Sequence, residues 1–342
     1  MDRVRYGLVG CGVIHHWHAQ VLQHMEETAQ LAAVCDTDPA ALSASVAKYG
    51  APGYASLDEM LREAAIDAVI VCTPSGMHGD HAIAAARAGK HVLTEKPIEV
   101  SLEKADAMID AAQQSGVLLS CISQNRYGRG IQQLHEWLDA GKVGKLIYGE
   151  AQIKWYRSQA YYDSAGWRGT WALDGGGALM NQGVHYVDQL RWAMGAPKSV
   201  YARMGTLGHE RVETEDIVTA TIEFQNGAIG TLTATTCAYP GFETRLEVYG
   251  AGGSVRVVNN ELEIARFTDG GEFTSGNADI ADTGSSHPRA LGTYLHWQQV
   301  DDFTRALIEH RAPKITAQDG RNALQLVLAV YESGRTGEIV RF

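Results

Sequence analysis

Proline is scarce, with 8 in 342 residues, so no proline-rich linker is expected. No stretch approaches the ~20 apolar residues that a membrane-spanning helix requires. Basic residues are also in deficit: 29 Lys and Arg stand against 40 Asp and Glu, a formal net charge of -11. Nucleic acids and anionic membranes reward clustered cations, so neither is expected as a partner. A small anion held by backbone N–H groups stays open. The cysteines, Cys11, Cys35, Cys72, Cys121 and Cys237, are odd in number and contain no CxxC pair. They sit in apolar contexts such as AVCD and VIVCTP and read as reduced core thiols rather than a disulfide or zinc framework. The apolar run in MDRVRYGLVGCG is too short for a signal peptide, and the chain is expected to be cytoplasmic.

What is present is ordinary globular material, 45% hydrophobic and 20% charged, which excludes a mainly disordered chain. The length exceeds most single cores, so two domains are expected, residues 1–123 and 124–342. In the first, the runs VRYGLVG, LAAVCD, AVIVCT, HVLTEK and GVLLSC alternate with Ala-rich helical stretches. That pattern predicts a Rossmann-type α/β domain, a doubly wound parallel sheet covered on both faces. Beyond residue 124 the texture changes. KLIYGEAQIKWYR, SVYARMGTL, DIVTATIEF, AIGTLTATTC, TRLEVYG and GSVRVV alternate polar and apolar residues. They predict an α+β domain with a large, mostly antiparallel open sheet. Residues 268–288, rich in Gly, Ser, Asp and Thr, read as a mobile loop.

The first strand runs into Gly10-Cys11-Gly12-Val13-Ile14-His15 and then a helix. In a dinucleotide fold the first glycine permits the tight turn, and the second lets backbone meet the pyrophosphate at the helix N-terminus. The third fingerprint glycine is replaced by His15, which predicts a helix set slightly further from the strand. Asp36, closing the second strand, is placed to accept hydrogen bonds from the adenine-ribose hydroxyls and to repel a 2′-phosphate, favouring NAD over NADP. Its alternative role is a turn former before Pro39. His15, His16 and His18 show no complete ligand set, so no metal is expected and packing or cofactor contact is the reading kept.

Cys72-Thr73-Pro74-Ser75-Gly76-Met77-His78 and Ala88-Gly89-Lys90-His91-Val92-Leu93-Thr94-Glu95-Lys96-Pro97 resemble the TPxxxH and AGKHVxxEKP signatures of the Gfo/Idh/MocA family, the glucose-fructose oxidoreductase and inositol dehydrogenase family. Trp167 to His185, with Gly175-Gly176-Gly177, Asn181 and then Asp188, is similar to that family's second-domain active-site segment, and TRLEVYGAGGSV matches its sheet. The resemblance thus spans nearly the whole chain.

It implies an NAD-dependent dehydrogenase oxidising a secondary hydroxyl of a sugar, sugar acid, cyclitol or nucleotide sugar. Lys96 at the carboxyl edge of the sheet and His185 are the catalytic candidates, since alcohol oxidation needs a proton acceptor beside the hydride transfer. Asn181 stands where inositol dehydrogenase-like members carry aspartate; an amide cannot act as a base, so it is expected to hold a substrate hydroxyl. Relatives acting on nucleotide sugars also carry Asn there. The glycine run is expected to let backbone approach the substrate. The resemblance places Asn125, Arg126, Tyr156, Arg168 and Trp171 around the cleft, and implies cofactor contacts from Thr73, Pro74, His78, Glu95 and Lys96. Asp174 and Asp188 read as braces. Two alternatives remain: a cofactor-retaining oxidoreductase or lyase using transient oxidation, and a non-catalytic NAD-bound sugar sensor. The open sheet and the resemblance together imply a homodimer or homotetramer.

Overall fold

A computed structural model describes residues 2–275 and 292–342. The chain divides into two compact units, residues 1–124 with 293–321, and residues 125–292 with 322–342. The first contains β1 (Val4–Val9), α1 (Val13–Gln23), β2 (Ala29–Cys35), α2 (Pro39–Tyr49), β3 (Gly53–Tyr54), α3 (Leu57–Glu63), β4 (Ala68–Val71), α4 (His78–Arg87), β5 (His91–Thr94), α5 (Leu102–Ser115) and β6 (Leu119–Cys121). Its six strands are all parallel in the order β3-β2-β1-β4-β5-β6. Every residue of β4 is fully buried, as a strand covered on both faces must be.

The second unit contains α6 (Arg129–Asp139), β7 (Leu146–Lys154), α7 (Gln159–Asp163), α8 (Val184–Met194), β8 (Pro197–Gly205), β9 (Ile217–Phe224), β10 (Ile229–Thr235), β11 (Arg245–Gly250), β12 (Gly253–Val258), β13 (Glu261–Phe267) and β14 (Glu272–Thr274). Then come α9 (Tyr294–Glu309), which belongs to the first unit, α10 (Ala317–Thr336), within which the division falls, and β15 (Val340–Arg341). The nine-stranded sheet runs β14-β13-β12-β11-β7-β10-β9-β8-β15; only β7 and β10 pair in parallel. Alternate residues of β7, β9 and β10 are buried; α8 packs on β7 and β11, the turn Ala178–Gly183 on β9 and β10, and α6 on β12 and β13.

Two expectations change. A single cut after residue 123 places α9 in the second domain, whereas α9 packs in the first unit's core. Its Val300, Phe303 and Leu307 join Tyr6, Leu8 and Leu22, and Thr304 Oγ1 meets Tyr6 OH at 2.8 Å. An amphipathic helix goes to whichever sheet its apolar stripe fits, which the stripe itself does not specify. In the stretch 268–288 expected as a loop, Glu272–Thr274 pairs with β13 as β14, and residues 276–288 lie outside the described residues. Among the described residues no helix is long and apolar enough to cross a membrane, and no disulfide joins any of the five cysteines.

Candidate active site

The turn after β1 is built around Gly10, whose φ of 90° only glycine adopts easily; a Cβ there would meet the Cys72 carbonyl at 2.9 Å. Gly12 is the N-cap of α1, and a Cβ at Gly12 would meet nothing within 4 Å. No side chain caps this helix, Val13 is 52% exposed and Ile14 is half-buried behind it. An uncapped helix start with an open cradle at Gly12 suits a pyrophosphate. Asp36 braces the same turn: Oδ2 accepts the Cys11 N–H at 2.6 Å and Oδ1 the Asp38 N–H at 2.8 Å. The carboxylate is therefore oriented beside the loop before any ribose arrives. His15 is fully buried, its Nε2 is 2.7 Å from Ser45 Oγ, and its ring meets Tyr49 edge-on. The side chain is accommodated on the α2 side of α1, and burial pushes it down to about 4, so it is neutral.

At the ends of β4 and β5, Thr73 and Pro74 are partly exposed, and Thr73 Oγ1 lies 3.2 Å from His81 Nδ1. His78 does not offer itself to a ligand. It is 1% exposed, with Nδ1 2.8 Å from the Pro97 carbonyl and Nε2 2.9 Å from the Thr73 carbonyl. Its ring ties the Thr73 loop to the Lys96-Pro97 turn, whose peptide is cis. Glu95 likewise turns inward instead of outward. It is 4% exposed; Oε1 accepts from His18 Nε2 at 2.7 Å, and Oε2 accepts the Lys96 N–H at 3.1 Å. The resemblance implied cofactor contacts for both, but their polar atoms are consumed within the protein. Lys96 itself is half-buried.

In the second unit the structure links Arg168 with Asn181. Gly169 N–H donates to Asp174 Oδ2 at 2.8 Å, Asn181 Nδ2 to Asp174 Oδ1 at 2.6 Å, and Gln182 Nε2 to Asn181 Oδ1 at 3.0 Å and Tyr161 OH at 3.3 Å. Arg168 completes the chain with a 2.7 Å hydrogen bond to Tyr161 OH. Its guanidinium lies 4.3 Å from the Tyr161 ring and 4.5 Å from that of Trp167. Its Nε is buried with no hydrogen-bond partner among the described residues. Asn181 sits on a π-helical turn, Ala178–Gly183, that leads into α8, where His185 occupies the first turn and is 8% exposed. Trp171 lies apart from this chain, edge-on to Tyr331 and under Arg335. Asn125 hydrogen-bonds Tyr186 and accepts from Gln189 through its carbonyl. Arg126 serves structure: it is 5% exposed, pairs with Asp188 through Nε at 2.7 Å and Nη2 at 2.5 Å, and stacks on Trp192. Asp174 and Asp188 are thus braces.

The glycine run has a packing reason of its own. A Cβ on Gly177 would sit 1.7 Å from the Glu215 carbonyl oxygen, and one on Gly176 would sit 2.2 Å from Tyr331 OH. These glycines are required by the protein's own packing. Glu215, 2% exposed, accepts from the Gly177 and Leu179 N–H groups at 2.8 Å each and from Tyr331 OH at 2.9 Å. It holds the start of the π turn, and burial pushes its carboxyl up to about 7 against those three donors. Glu215, Tyr331, Tyr161, Gln182 and His18 carry no motif signal; their importance comes from partners distant in sequence. One further trio, His209, Asp216 and Cys237, brings ligand-type atoms within 4.8 Å of one another. Asp216 accepts the Leu207, Gly208 and His209 N–H groups, and His209 Nε2 faces the Arg157 carbonyl at 2.8 Å. These bonds make the trio a loop brace.

Residues 4–123 match the profile of an oxidoreductase family with an NAD-binding Rossmann fold, and residues 131–256 match the GFO/IDH/MocA C-terminal domain. The solved WlbA dehydrogenase of Bordetella pertussis, in complex with NADH and UDP-GlcNAcA, superimposes with a TM-score of 0.88 at 33% identity, over 99% of each chain. WlbA of Chromobacterium violaceum, in complex with the same two molecules, gives 0.89 at 35% identity, over 100% of this chain and 96% of that one. The myo-inositol 2-dehydrogenase of Thermotoga maritima is 27% identical, over 96% of both chains.

Proposed function

This chain belongs to the Gfo/Idh/MocA family of NAD-binding oxidoreductases, and on that premise we propose that it oxidises a secondary hydroxyl of a sugar acid carried as a nucleotide sugar. The observation that carries this reading is its likeness to two dehydrogenases holding NADH and UDP-GlcNAcA, at 33% and 35% identity, against 27% for the inositol dehydrogenase. Arg168 supports it. A guanidinium fixed between two aromatic rings, with a buried Nε in need of an acceptor, suits a carboxylate or phosphate.

When bound, NAD supplies the carbon that accepts the hydride. Gly10, Gly12, Val13 and Ile14 would hold its pyrophosphate through backbone N–H groups, Asp36 would take the ribose hydroxyls, and Thr73 and Pro74 would be the next residues to meet it. Lys96 removes the hydroxyl proton and, once charged, stabilises the developing alkoxide. His185 relays protons near neutral pH. Asn181, its Nδ2 committed to Asp174 and its Oδ1 already accepting from Gln182, orients a hydroxyl and does not act as a base. Trp171 offers an aromatic face to a sugar ring, and Asn125 a polar edge. The test is a panel of UDP-hexuronic acids, free sugars and inositols, followed by absorbance of reduced nicotinamide. Turnover of a nucleotide-linked acid is expected, and activity confined to free inositols would overturn the substrate assignment. We further propose a homodimer or homotetramer assembled through the open face of the second sheet, where Tyr201, Thr221, Thr231 and Glu150 stand in one cross-strand row.

A further inference from the structure

Behind Lys96 lies a buried group of ionisable side chains that the proposed chemistry does not use. The His18 side chain is fully buried on α1, the helix that starts at the Gly12 cradle, and His296 is 4% exposed on α9. The His18 and His296 rings meet edge-on with centroids 5.7 Å apart, and His18 Nε2 is 2.7 Å from Glu95 Oε1. Glu95 Oε2 then takes the Lys96 backbone N–H. One carboxylate therefore joins the cofactor-side helix to the peptide that carries the lysine.

Burial alone would neutralise Glu95. The His18 hydrogen bond, the positive charge that His18 and His296 can carry and the Lys96 ammonium outweigh it and hold the carboxyl well below its usual range. Burial pushes His296 down to about 4, so it is neutral at physiological pH, while the charge of the same carboxylate acts on Cys72, just past β4, and on His78, the first residue of α4. The Cys72 thiol is driven far up by burial and stays protonated. Burial lowers His78, against its two carbonyl contacts and the charges of Glu95 and Glu99. The Lys96 charge stabilises the Glu95 carboxylate, and the same interaction favours the Lys96 ammonium in a medium where charges are weakly screened.

We propose that Glu95, clamped by His18, is a positioning residue for Lys96: its buried carboxylate fixes the lysine main chain and supplies the negative field that lets a half-buried amine keep a proton. The consequence for catalysis rests on the proton-transfer role proposed for Lys96, but the electrostatic claim can be read without turnover. The full chain, saturated with NAD and carrying 13Cε-labelled lysine, is titrated by NMR, with the Lys96 resonance assigned by its loss in Lys96→Arg. In Glu95→Gln the Lys96 midpoint is expected to fall by about one pH unit or more, a tenfold loss of proton affinity. His18→Ala should move it the same way, because an unclamped buried carboxylate takes up a proton, and His18→Gln, which keeps an N–H donor, should restore most of it. Thermal unfolding identifies the folded variants, and the two His18 variants decide the matter if Glu95→Gln does not fold. An unmoved midpoint in folded His18→Ala or Glu95→Gln overturns the inference. Activity surviving in Lys96→Met while the midpoint still moves overturns the catalytic reading alone.

Discussion

Lys96 carries the heaviest burden at the scale of single residues. If it is the proton acceptor, Lys96→Met should lower kcat by about 10²–10⁴-fold, the usual worth of a general base, and leave the KM for NAD nearly unchanged. A small fall in kcat with a large rise in KM would make it a binding residue. Asp36 makes a second prediction. The wild type should use NAD at least about tenfold better than NADP in kcat/KM, about 1.4 kcal/mol of discrimination. Asp36→Ala should shrink that ratio and also loosen the turn, because Oδ2 holds the Cys11 N–H. Equal use of both cofactors by the wild type would refute the role. The tight turn at Gly10 and the helix start at Gly12 were readable from sequence because glycine at such a turn is a local requirement. The inward turn of Glu95 was not, since its partner His18 stands 77 residues away on another element.

At the scale of elements, the π turn and α8 are held by one carboxylate. Glu215 has its folded-state pKa raised from 4.5 to about 7 by burial. A raised pKa means that the native state binds the proton more tightly than the unfolded chain, so this contribution is complete below pH 4.5 and is lost as pH rises through about 7. At about 1.4 kcal/mol per unit, a rise from 4.5 to about 7 amounts to roughly 3 kcal/mol. Denaturant unfolding at pH 5 and pH 8 should show wild type losing more stability across that interval than Glu215→Gln; parallel losses would contradict the assignment. Gly177→Ala, which drives a methyl into the Glu215 carbonyl, should cost at least the ~1–3 kcal/mol typical of over-packing, and a wild-type Tm would refute the packing role. The glycine run was legible as a special backbone, but its reason was not. It depends on Glu215 and Tyr331, 38 and 151 residues from the backbone groups they bind at Gly177 and Met180.

For the molecule as a whole, alternation of apolar runs and helices was enough to distinguish a parallel sheet from a mostly antiparallel one, because burial on two faces or one writes different periodicities. Which sheet α9 joins was not written there; Phe303 and Val300 fit either core by composition, and contacts with residues distant in sequence, Thr304 with Tyr6, His296 with His18 and Gln299 with Ser123, place it in the first. The open face of the nine-stranded sheet carries the prediction for assembly. Light scattering should give a multiple of 37.0 kDa, and Thr231→Arg, in the middle of that cross-strand row, should reduce it. A wild type of only 37.0 kDa would exclude the oligomer.

The proposed chemistry is decided by the rate of NADH formation from NAD and a UDP-linked hexuronic acid, wild type beside Lys96→Met. The wild type is expected to turn over and the variant to lose about 10²-fold or more. Equal rates in both proteins, or no reaction of the wild type with any nucleotide-linked acid while it remains folded and binds NAD, would contradict it.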